Sequence, residues 1–128
     1  MVVSSGQVPT SNARFYLGIN NSKWDMGIAT SGWGTSGPVD AVIGTWYHLV
    51  ITMDGSISKL YINGIYQKSK NYSSYTLNRN IYIGMHDNNY KFPGIVDDLR
   101  IYNTVLSEDD IEEIYLSRSS LDEIGNLK

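Results

Sequence analysis

The dipeptide Asn63-Gly64 lies between two β-rich runs, "SKLYI" (58–62) and "IYQKS" (65–69). Both residues tolerate positive φ, so the pair predicts a two-residue type I′ turn and a tight antiparallel hairpin. A two-residue turn also sets the register. Ile62 then faces Ile65, Tyr61 faces Tyr66, Leu60 faces Gln67 and Lys59 faces Lys68. Alternation puts Leu60, Ile62 and Ile65 on a core face, with Tyr61, Tyr66, Lys59 and Lys68 on a wetter one.

The same grammar recurs along the chain. "ARFYLGI" (13–19) and "WDMGIAT" (24–30) flank the polar turn "NNSK", and "TWYHLVITM" (45–53) ends at the hairpin signal Asp54-Gly55. "NIYIGM" (80–85) and "GIVDDLRIY" (94–102) complete the strand candidates. Short strands spaced by turns predict an antiparallel sandwich or barrel. A chain of 128 residues without repeat or linker reads as a single domain, 1–128.

One stretch imitates an active site. "SEDDIEEIY" (107–115) carries Glu108, Asp110 and Glu113 in an E-x-D-x-x-E order that certain jelly-roll glucanases place on a strand. Helix chemistry explains the residues better. Ile111, Ile114 and Tyr115 recur at helical spacing, with Leu106 and Leu116 nearby. Ser107 and Asp110 have the spacing of a capping box, and Glu108, Asp109 and Asp110 crowd the first turn, where acids favour the dipole. Arg118 falls near the expected end, where a cation does. On a helix Glu108 and Asp110 point about 200° apart and cannot cooperate. The reading is an amphipathic helix docked on a sandwich, and not an enzyme.

Other chemistries find little support. The chain has no Cys, which removes disulfides and thiolate sites. His48 and His86 have no third ligand placed beside them for zinc. There is no G-x-S-x-G nucleophile turn and no phosphate loop before a helix. A formal net charge of -3 suggests no nucleic-acid partner. No apolar run approaches the roughly twenty residues of a membrane helix, and "MVVSSGQVPT" does not read as a secretory leader.

From residue 44 the chain resembles the laminin-G-like branch of the concanavalin A-like lectin/glucanase jelly rolls of bacterial extracellular proteins. The resemblance rests on "GTWYHLVITMDG" (44–55), "KLYINGIY" (59–66), "IYIG" (81–84) and "FPGIVDDLRIYNTVLSEDDIEEIY" (92–115). It implies an all-β, two-sheet antiparallel jelly-roll sandwich with one short C-terminal helix. It also implies a non-catalytic module that binds glycans or proteins and often holds calcium. Residues 13–128 read as the later part of such a domain, because the opening "F-D-G-x-x-D-Y-V" phrase has no counterpart. The domain therefore reads as N-terminally short, and "MVVSSGQVPT", with Pro9, as a poor substitute strand.

Candidate sites follow from this. Asp87, Asn88, Asp97 and Asp98 offer the oxygens a hard cation such as Ca2+ takes, although Asx side chains also bond turn backbones without metal. Trp33 in a Gly-rich loop, Tyr61, Tyr66 and Tyr82, with Asn88, form the ligand set for a sugar. Ordinary sheet pairing and a loop plug against the core are the plainer roles of these aromatics. Trp46 reads as a packed aromatic. The expected function is a non-catalytic carbohydrate-binding module of a secreted or cell-surface bacterial or phage protein. The alternative is a protein-interaction or structural module of a surface adhesin or tail assembly. Partners would be a glycan or surface protein, with no nucleic acid and no membrane insertion. Absent opening strands would leave an open edge through which two copies form a homodimer.

Overall fold

The structure is a computed structural model that describes residues 1–5, 14–29, 37–72, 80–85 and 90–126. In chain order its elements are β1 (Val3–Ser5), β2 (Arg14–Asn20), β3 (Lys23–Ala29), β4 (Leu49–Met53), β5 (Ile57–Ile62), β6 (Ile65–Asn71), β7 (Ile81–Ile83) and α1 (Glu108–Asn126). The strands form two antiparallel sheets, β3-β2-β1-β7 and β4-β5-β6. This is the two-sheet antiparallel β arrangement with one C-terminal helix that the sequence predicts.

Turn chemistry sets the hairpins. Asn63 and Gly64 have φ of 51° and 80°, the left-handed pair a type I′ turn requires. Asn21 and Ser22 do the same for β2 and β3, at 50° and 63°. Between β4 and β5, Asp54 Oδ1 accepts from the amides of Ser56 and Ile57, an Asx arrangement that closes the turn.

The β5–β6 register follows the sequence only for its first two pairs. Tyr61 faces Tyr66 and Ile62 faces Ile65, but a bulge between Leu60 and Tyr61 then places Leu60 opposite Lys68 and Lys59 opposite Ser69. Gln67 is the extra residue, and two-residue turn logic cannot foresee such an insertion. Lys68 is therefore not on the wetter face with Lys59. It stands opposite Leu60, and its amine pairs with Asp25 of the other sheet. Ile65 lies opposite buried Ile62 yet is 66 % exposed.

The core fills the space between the sheets: Val2, Leu17, Trp24 and Met26 meet Leu60 and Ile62. Completely buried Leu60 alone contributes about 1.5–3 kcal/mol. Tyr47 packs edge-on against Trp24 at 5.1 Å, and Phe92 and Val96 close the cluster.

Two expectations about the chain's course fail. The opening segment is not a poor edge strand: β1 is central, pairing with β2 on one side and β7 on the other. Three residues suffice because Met1, Val2, Ser4 and Ser5 are buried and Ser4 Oγ donates to the carbonyl of Met85. Conversely, "GIVDDLRIY" (94–102) forms no strand. Asp98 has a φ of 50°, which interrupts an extended run, and no described segment supplies a ladder partner. "TWYHLVITM" is strand only from Leu49.

Candidate functional site

The helix cap forms as its sequence predicts. Ser107 Oγ accepts from the Asp110 amide at 3.1 Å, and Asp110 Oδ2 accepts from the Ser107 amide at 2.9 Å and from its hydroxyl at 2.6 Å. These bonds hold the Asp110 carboxyl below its usual range. Ile111 is fully buried. Arg118, however, is not at the helix end. The helix runs to Asn126, no basic residue occupies its last turn, and Arg118 instead pairs with Asp98.

Glu108, Asp110 and Glu113 lie on this helix. Asp110 belongs to the cap. Glu108 Oε1 accepts from the Tyr61 hydroxyl at 3.2 Å and lies 3.7 Å from Lys59 Nζ. Asp110 is thus spent on the cap and Glu108 on the contact with β5, while Glu113 is exposed.

Tyr61 is buried. The face expected to be wet is covered at this point, and Tyr61 offers no open ring to a ligand. Burial, then the Glu108 charge, pushes its hydroxyl up to about 12. Tyr66 stands beside it, edge-on at 5.9 Å between centroids, and is 44 % exposed. Lys59 Nζ lies 6.0 Å from the Tyr66 ring centre. The hairpin and the start of the helix thus assemble an open Tyr66 ring with Lys59 and Glu108 nearby. An aromatic platform with a donor and an acceptor beside it can stack on an apolar ring face and bond hydroxyls.

The other predicted residues are dispersed. Tyr82 is half-buried on β7, in the other sheet. Trp33, Asp87 and Asn88, and with them His86, lie outside the described residues. Asp97 Oδ1 accepts from the Asp98 amide at 2.8 Å. Asp98 is held by a fork from Arg100, with Nε to Oδ1 and Nη2 to Oδ2 both 3.1 Å, and by Arg118. Two guanidinium groups already balance this carboxylate, so it does not fit a calcium ligand without displacing one. Among the described residues no group of three or more His, Asp or Glu side chains could hold a metal.

Two features were missed. Trp46 is not packed but 66 % exposed, beside exposed Val42 and Ile43. The family-position Trp and the strong strand pattern hid this, because the strand starts three residues later. His48 joins the helix to the sheet: its ring stacks on Tyr115 at 5.9 Å and its amide donates to Asn63 Oδ1. Its Nδ1 is buried with no hydrogen-bond partner among the described residues. Burial, and then Arg118 and Arg100, hold the His48 pKa below its ordinary value.

The family model described as the concanavalin A-like lectin/glucanases superfamily, of laminin G type, matches residues 1–112. The chain belongs to this superfamily. The match reaches back to residue 1, well before the blocks legible from residue 44, and so includes β1, β2 and β3. Laminin G-like domains of this superfamily are generally non-catalytic. Among solved structures, the chain is similar to an S-layer domain-containing protein from Clostridium thermocellum, at 23% identity and a TM-score of 0.52. That similarity covers 86% of this chain and 66% of the other, and it shows a shared fold. No curated protein matches. No helix among the described residues is long and apolar enough to cross a membrane.

Proposed function

We propose that this chain is a non-catalytic binding module of a cell-surface or secreted protein, and that its ligand is a carbohydrate. The open Tyr66 ring with Lys59 and Glu108 beside it carries this reading. A pyranose needs an aromatic face for its C–H surface and polar groups for its hydroxyls, and this site offers both on a rigid hairpin. The superfamily, described by lectins as well as glucanases, supports the ligand class. The printed name of the similar structure, an S-layer domain-containing protein, supports the surface setting.

A glycan array read with wild type and with Tyr66→Ala tests the proposal. A bound glycan whose signal falls by roughly two- to tenfold or more in Tyr66→Ala is expected, since an aromatic contact contributes on the order of 0.5–1.5 kcal/mol beyond area burial. Melting temperature should change little, because Tyr66 is exposed. An array without binding, or binding indifferent to Tyr66→Ala, would overturn this site.

A further inference from the structure

The seat of α1 on the sandwich combines one buried side chain with polar and stacking contacts. Ile111 is the fully buried one among the described residues of the helix. Glu108 accepts from Tyr61, Tyr115 stacks on His48, and Arg118 pairs with Asp98. An element seated this lightly opens more readily than the core strands. Most helical stability comes from the packing of an apolar face, so a released α1 frays.

The contact at His48 is the one that a proton changes. The ring lies against Tyr115, and its Nδ1 is buried with no hydrogen-bond partner among the described residues. A neutral ring with its hydrogen on Nε2 tolerates this, because a bare Nδ1 has nothing to donate. An imidazolium does not. Both nitrogens are then donors, and Nδ1–H is left buried without an acceptor. Its charge also meets like charge. The Arg118 and Arg100 guanidinium groups act on the ring, and the acid beside them, Asp98, is already shared between the two. Asn63 Oδ1 is engaged by the His48 backbone amide.

We propose that α1 is a pH-gated cover: protonation of His48 releases it from the sandwich while the two sheets stay folded. In the released state the ring is solvated and takes a proton freely. The proton therefore prefers the released state, and that preference sets how far it moves the equilibrium. Acid favours release, in the window below the ordinary histidine value of 6.5. Release takes Glu108 away from Lys59 and from the Tyr66 ring, and it uncovers Tyr61. The consequence for a ligand rests on the Tyr66 site proposed above, whereas the release itself does not.

Hydrogen exchange on the whole chain at pH 7.5 and at pH 5, corrected for the intrinsic exchange rate, tests release with no ligand present. The amides of 112–118 are expected to exchange through an opening of their own, with protection about tenfold or more below that of the β5 amides. Their protection should fall severalfold from pH 7.5 to pH 5 in wild type, and much less in His48→Phe and His48→Gln. Two variants without the titrating ring are used so that one may be lost to misfolding, which circular dichroism reports. Equal protection of α1 and β5 would show that the helix opens only with the whole domain, and would overturn the proposal. So would helix protection that ignores pH, or that falls alike in wild type and both variants. Glycan binding that ignores Tyr66→Ala would remove the ligand site and leave the release standing, so the two readings fail separately.

Discussion

Lys68 on β6 donates to the carboxylate of Asp25 on β3, so a charge pair with a fully buried acid ties one sheet to the other. The carboxylate also accepts from Asn20 Nδ2 at 3.2 Å and from the Met26 amide at 2.9 Å. The bulge between Leu60 and Tyr61 is what delivers Lys68 to it, by setting Lys68 opposite Leu60. Removing one partner leaves the other charge in a poorly solvated site. Lys68→Met should therefore cost about 3–5 kcal/mol in urea denaturation, and adding Asp25→Asn should recover part of that. A loss below about 1 kcal/mol, the value of an exposed pair, would mean that Asp25 is well solvated.

The hairpin turns and the helix cap are legible because each is decided by residues a few positions apart. Asn63-Gly64 dictates its own φ values, and Ser107 and Asp110 satisfy each other whatever surrounds them. What is illegible depends on distant partners. Nothing local says that Gln67 will bulge, and therefore that Lys68 will reach Asp25. A lone acid within the apolar run "WDMGIA" is the signal that could have raised the question, since buried carboxylates need partners. "GIVDDLRIY" reads as strand because its residues favour one, but a strand exists only with a neighbour to bond. In the same way "MVVSS" looks too brief to matter and becomes central because β2 and β7 flank it. The open Tyr66 ring was foreseeable from alternation. The burial of Tyr61 beside it was not, because the helix that covers it starts 46 residues after β5 ends (108 against 62).

The cap makes an independent prediction. Ser107→Ala removes the acceptor of the Asp110 amide and one donor to the Asp110 carboxylate. It should cost about 1 kcal/mol by thermal or urea unfolding. Ser117→Ala is the control, because Ser117 Oγ bonds only back to the Ile114 carbonyl within the helix. Equal losses from the two would show that the cap contributes nothing special.

His48 predicts a pH dependence whose sign can be fixed. Its folded pKa lies below the ordinary 6.5, so the folded state resists the proton that the unfolded chain accepts. Between those two values the unfolded state binds more protons, and stability rises with pH. The neutral ring's contribution is complete above 6.5 and declines as pH falls to the lowered folded value. Tyr115 stacks on the ring from the helix, the Arg118 and Arg100 charges act on it, and Asn63 Oδ1 holds the His48 backbone amide. His48→Phe keeps the stack on Tyr115 and removes the titration. Its melting temperature should fall less than that of wild type as pH is lowered through this window. The Met1 amine, also depressed by burial, is common to both proteins and cancels in the difference. Parallel curves would show that His48 titrates freely.

Gly64 serves two structures at once, and substitution can separate them. Its φ of 80° makes the hairpin turn, and a Cβ there would lie 3.2 Å from Tyr115 Cδ1 and 3.4 Å from Glu112 Cα. The helix therefore packs closely on the turn, where an added Cβ would need Tyr115 to give by a few tenths of an ångström. Gly55 offers the comparison: its φ is 101°, but a Cβ would meet nothing within 4 Å. Both Gly→Ala variants carry the left-handed strain, about 1–2 kcal/mol. Gly64→Ala alone must also shift Tyr115 and the helix turn that carries it, an added overpacking cost of up to about 1 kcal/mol. The expected result is a larger loss for Gly64→Ala, accompanied by greater exposure of Tyr61 and Tyr115 in fluorescence quenching. Displacing the helix weakens the hydrogen bond from Tyr61 to Glu108 and the stack of Tyr115 on His48. Equal losses from the two alanines, with tyrosine quenching unchanged, would mean that the helix is not seated on the turn.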